Sequence, residues 1–165
     1  MDIISHALLG LDITSNIIKN PTEIAQVAFF SGLPDMFQFP LYLFIGYKKR
    51  RPLWIPWHSD WKGFRKKHPL WFGLWELPNS VVFFLLIVLP FIYFYNFPLT
   101  CAVGYLAHIA SDIFTHTGEW SAKPFYPFNY TIEGFSDPWR WPVRYWFLQW
   151  VILVAAILIA KNFFI

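Results

Sequence analysis

The chain has 165 residues, of which 56% are hydrophobic, 22% aromatic and only 14% charged, against about 25% charged in an ordinary soluble domain. From Leu77 to Ser111, and again from Tyr145 to Ala160, no formal charge interrupts the sequence, and these runs are on the scale of the roughly 18 apolar residues that a bilayer crossing needs. A soluble globular protein and a disordered chain are both excluded, because neither accommodates so much apolar sequence with so little charge.

Length points to a single domain over residues 1–165. The first predicted helix, Ile3 to Ile18, carries His6 early and ends at Asn20 and Pro21. Asp2, His6 and Asp12, with no basic leading region, make it a poor secretory signal peptide, so it is expected to belong to the mature fold. The second runs from Ile24 to Tyr47, with Pro34 expected to break it into two halves meeting at Asp35. The third, Asn79 to Asn96, is the most lipid-like and has Pro90 as its expected kink. The fourth extends from Pro98 to His116 and the fifth from Tyr145 to Lys161. The lone cysteine, Cys101, reads as a small core residue. The expected fold is therefore all-α: a polytopic membrane bundle of about five helices, with an ordered Pro/Trp-rich loop from Thr117 to Arg144.

Charge sets the expected orientation. Lys48, Lys49, Arg50, Arg51, Lys62, Arg65, Lys66 and Lys67, out of thirteen basic residues in all, crowd the loop between the second and third spans. Basic short loops mark the cytoplasmic side, which places this loop and the one after His116 inside and points to an integral protein of the inner, cytoplasmic membrane. Trp54, Trp57 and Trp61 interleave the charges as an interfacial belt does, which favours anionic head groups over nucleic acid as the partner of this patch. Oligomeric state leaves no mark in the sequence.

The informative residues are the ionisable ones inside the spans, each costing roughly 2.5–3.5 kcal/mol at the centre of an inserted helix: His6, Asp35, His108 and Asp112. In GYLAHIASDIFTH, His108, Asp112 and His116 recur at i, i+4 and i+8 and line one helical face. Imidazole and carboxylate at that spacing can share a divalent ion, zinc first among them. Blander readings stand beside this one: a helix-gluing His108–Asp112 pair, an interfacial His6, Asp35 as a half-helix cap, and His116 with Glu119 as a helix end and its solvated flank. His58 and His68 read as solvated. No GxSxG, Cys–His pair or glycine-rich phosphate loop is present, so a metal-activated water is the nucleophile that the composition permits.

SHALLG at His6, GLPD at Asp35 and GYLAHIASDIFTHTGEW followed by PFYPF resemble the YdjM-like inner-membrane metal-dependent hydrolases, which are similar to the zinc-dependent phospholipase C and nuclease superfamily. The resemblance covers most of the chain. It implies an all-helical membrane protein with an ion held by His6, Asp35, His108 and Asp112, and hydrolysis of a phosphoester or related bond. Two positions depart from the family pattern: Phe37 stands where a second carboxylate is common, and Asn79 where a histidine is common. The reading that follows is a metal-dependent hydrolase acting on a lipid or lipid-linked substrate at the cytoplasmic face, with Asp35 or Glu119 as general base and His116 as a further candidate ligand. A non-catalytic membrane scaffold that keeps the fold and a structural ion is the second reading. A transporter is third, since five short spans without a repeat suit it poorly.

Overall fold

In the computed structural model, residues 2–18, 20–54 and 58–163 are described. Trp57, and the side chains of Trp54 and His58, lie outside that description. The chain is all-helical: among the described residues the only extended pairing is an isolated bridge between Ala122 and Ile132.

Helix α1 (Ile3–Thr14) begins where the Asp2 carboxylate accepts from the backbone N–H groups of Ile4 and Ser5, two of the donors a helix start leaves unpaired. It ends short of the expected Ile18. Helix α2 (Pro21–Met36) starts at an Asn20 cap on Glu23 N with Pro21 in the first turn. It runs straight through Pro34, contrary to expectation. The interruption falls at Phe37 and Gln38, ahead of α3 (Phe39–Lys48). The cause is Pro40, which lacks the N–H that would have bonded the Met36 carbonyl. Pro34 is held by packing, fully buried on a helix that lies along α1 and α8. Helix α3 closes with Arg50 in the left-handed region at φ 53° and Arg51 N bonded to Gly46 O, the pattern of a Schellman cap.

The described parts of the basic loop are folded. Arg51 makes a two-pronged contact with Asp60, and Trp61 packs on Tyr42, Phe64 and Trp120. A short turn, α4 (Phe64–Lys67), leads into α5 (Pro69–Glu76), where buried Glu76 is paired with Arg65 and lies 3.5 Å from Lys123. Ser80 caps α6 (Val81–Phe83). A π-turn over Phe84–Val88 then joins it to α7 (Leu89–Phe94). Pro90 stands in the first turn of α7, directly after this π-turn, where the N–H that proline lacks is least needed. The α5 axis is bent by 56° from the segment Val81–Phe94. Asn96, at φ 54°, ends α7.

Helix α8 (Leu99–Thr115) and the C-terminal α9 (Val143–Phe163) complete the chain. The core gathers Val27, Phe30, Phe84, Val88, Ile92, Tyr105 and Ile109 around buried Cys101. The loop between α8 and α9 is ordered, as its composition suggests. Pro124 O accepts from Val81 N, and the Gly134 and Phe135 N–H groups bond the His116 and Phe114 carbonyls. Gly134 comes so near that a Cβ there would sit 2.6 Å from Phe114 O.

Helix α9 is long and apolar enough to cross a membrane: Val143–Ala160 has a mean hydropathy of 1.9, and none of it is buried inside the protein. Its Trp150 indole N–H reaches Ser5 Oγ at 3.0 Å and so fastens α9 to α1. The bent pair Pro69–Glu76 and Val81–Phe94 meets the same test when taken together, while α1 and α8 are shorter apolar helices.

Candidate metal centre

Three helices meet through small residues. A Cβ placed on Gly10 of α1 would lie 1.9 Å from the Ser31 hydroxyl oxygen on α2, and one on Gly104 of α8 would lie 2.4 Å from the same atom. Only hydrogen at both positions allows this approach. Each of these residues stands one turn from an ionisable side chain on its own helix: Gly10 from His6, Ser31 from Asp35 and Gly104 from His108. Close helix packing thus brings the three side chains together.

The result is compact. His6, Asp35 and His108 can each offer one ligand atom, all lying within 4.8 Å of one another. The two imidazoles stack with centroids 3.6 Å apart. Asp112, one turn beyond His108, puts carboxylate oxygens 3.1 Å from His6 Nε2, 3.3 Å from His108 Nε2 and 3.4 Å from His116 Nδ1. His6, His108, Asp112 and His116 are all buried, whereas the Asp35 side chain retains 18% of its exposure.

The hydrogen bonds assign the tautomers. His108 Nδ1 lies 2.7 Å from the Ser31 carbonyl, which can only accept, so Nδ1 carries the proton. Ser111 Oγ lies 2.8 Å from His108 O and 3.1 Å from His6 Nδ1; with the hydroxyl proton given to His108 O, His6 Nδ1 donates to Ser111 Oγ. In neutral rings both Nε2 atoms are then bare lone pairs, and they face acceptors. His6 Nε2 is buried without a hydrogen bond and looks at Asp112 Oδ1 and, 3.7 Å away, Asp35 Oδ2. His108 Nε2 faces Asn79 Oδ1 at 3.1 Å, whose amide nitrogen is already spent on Trp75 O. Gln38 Nε2 donates to Asp35 Oδ1, which leaves Oδ2 turned to His6.

Such a nest of acceptors is satisfied by protons on the imidazoles or by a cation. The donor set, two imidazole nitrogens and a carboxylate with second carboxylate and carbonyl partners behind them, is that of a zinc-type site. The residues present therefore fit the ion that the resemblance implies.

The remaining candidates fall on the flank of this centre. His116 donates from Nδ1 to the Asp112 carbonyl at 3.0 Å and packs on Trp75. Glu119 is exposed, and its Oε2 accepts from Gly63 N at 2.7 Å, which ties the loop after α8 to the basic loop. Phe37 is exposed and touches Phe83 edge-on. His68 packs against Phe64. Ser31 and Ser111 were not legible as site residues, because what they contribute is a backbone carbonyl and a hydroxyl proton count.

No family model, curated protein or solved structure matches this chain.

Proposed function

We propose that the chain is a membrane-embedded, metal-dependent hydrolase acting on a phosphoester or lipid-linked substrate at the cytoplasmic face of the inner membrane. The supporting observation is the buried meeting of the His6 and His108 rings with Asp35 and Asp112, in which His6 Nε2 has no hydrogen bond. His6, Asp35 and His108 would hold a divalent cation, zinc by the chemistry of the donors. When bound, it supplies Lewis-acid activation of water and of a substrate oxygen.

The chain's own groups do the rest. Asp112, whose carboxylate oxygens lie 3.1, 3.3 and 3.4 Å from ring nitrogens of His6, His108 and His116, would add a further ligand oxygen to that cation. The Ser31 carbonyl fixes the His108 ring, and Ser111 fixes that of His6. Asp35 is the most open of the four, and with Oδ1 held by Gln38 its Oδ2 is the proton acceptor for an attacking water. Glu119 is the second candidate for that role.

The membrane reading is supported by the unburied apolar α9, the bent apolar pair and the large outward residues Leu86, Phe94 and Leu158. In the five-span arrangement the basic loop lies inside. A non-catalytic scaffold with a structural ion is favoured by one observation, the neutral Asn79 set against His108 Nε2. Hydrolysis of bis(4-nitrophenyl) phosphate by the detergent-purified protein separates the two. Zinc-dependent turnover abolished by Asp35→Asn supports the hydrolase; bound zinc with no turnover supports the scaffold.

A further inference from the structure

The buried centre communicates with a cavity through one residue. A cavity of about 550 Å³ lies between the start of α1, the end of α2 and α3, within the roughly 300–1,000 Å³ range of small-molecule sites. Its walls are Ile3, Met36, Phe39 and Pro40, with Tyr42, Asp35 and the Gln38 that bonds it. Ile3, Met36 and Phe39 are 42%, 45% and 63% exposed, so they have no packing partner that fills the space. Asp2 also borders the cavity, but its carboxylate is spent on Ile4 N, Ser5 N and the Ser5 hydroxyl. Asp35 is therefore the carboxylate through which the cavity meets the centre, since His6, His108 and Asp112 are shut away behind it.

An occupant of this space must be apolar along its length and polar at the end that meets Asp35. We infer that the cavity is the substrate-chain site: it takes a single alkyl chain against Ile3, Met36, Phe39 and Pro40, and delivers a phosphorylated head to the centre beside Asp35. This rests on the metal-centre reading, because an anionic head is tolerated beside Asp35 only when a cation is held there. The substrate class is thus a single-chain lipid phosphate or a lipid with one chain free to enter.

The test is photolabelling of the full chain in detergent with dodecyl phosphate bearing a diazirine midway along its chain, with and without zinc, and with inorganic phosphate as competitor. The same preparation is assayed for bound zinc. Expected is labelling centred on Ile3, Met36 and Phe39, raised about tenfold by zinc, reduced by inorganic phosphate, and lost in Phe39→Trp and Ile3→Trp while their zinc content stays at the parent level. Labelling spread equally over Leu86, Phe94 and Leu158, or unchanged in both tryptophan variants, overturns the cavity assignment. Focused labelling that zinc and phosphate leave unchanged overturns the placing of the head at Asp35. Failure of the metal centre itself is read separately, as a parent protein that binds no zinc.

Discussion

Gly104 on α8 stands so close to Ser31 on α2 that a methyl group built on it would lie 2.4 Å from the Ser31 hydroxyl oxygen. That hydroxyl is buried and donates to Val27 O at 2.7 Å, so it cannot swing aside without losing its bond. Gly104→Ala should cost about 1–3 kcal/mol through overpacking, read as a lower melting temperature in detergent. Adding Ser31→Ala removes the obstructing oxygen and should recover most of the loss. A destabilisation untouched by the second substitution would show that the crossing is not set by this contact.

Asn79 occupies a position from which an imidazole would meet the same space as His108 Nε2. Asn79→His replaces a weak neutral oxygen with a ligand better suited to zinc. Zinc affinity, measured by competition with a chelator, should rise by about tenfold, equivalent to ~1.4 kcal/mol. An unchanged affinity would mean that Asn79 faces His108 without facing the ion.

Asp112 and Glu119 are both acidic and only a few residues apart, but the fold gives them different work. Asp112 lies against three imidazoles, whereas Glu119 bonds a backbone N–H of the basic loop. Asp112→Asn should strip zinc from the protein; Glu119→Gln should leave it bound. Equal loss in the two variants would bring Glu119 into the centre. With zinc retained, turnover by Glu119→Gln then decides whether that carboxylate shares the base role with Asp35.

Orientation is accessible to labelling because the native thiol is silent: Cys101 is fully buried. In Lys62→Cys, where the parent lysine is exposed on the basic loop, a membrane-impermeant maleimide should react in inverted vesicles and not in intact cells. Reaction from the outside alone reverses the topology.

Much of the centre was legible because ionisable groups are conspicuous in apolar sequence. His6, Asp35, His108 and Asp112 each demanded a partner, and the i, i+4 spacing on α8 put two of them on one face. The parts that escaped were those without a side-chain signal. The Ser31 carbonyl that fixes the His108 tautomer is backbone, and the triple approach of Gly10, Ser31 and Gly104 depends on three helices that no local pattern relates. The helix break was misplaced for a similar reason. Pro34 and Pro40 look alike in sequence, but Pro34 is clamped by packing on α1 and α8 while Pro40 follows the point where that packing ends. The all-helical class was readable from the long charge-free apolar runs, and α9 from its length and hydropathy alone.

The central claim is that the two Nε2 lone pairs and Asp35 hold a metal ion, and elemental analysis tests it most directly. Protein expressed with supplemental zinc and purified in detergent should carry close to one equivalent, and His6→Ala and His108→Ala should each lose it while remaining helical and monodisperse. A parent protein that is folded and free of zinc or any other divalent metal, with the two variants indistinguishable from it, would contradict the claim and leave the nest satisfied by protons.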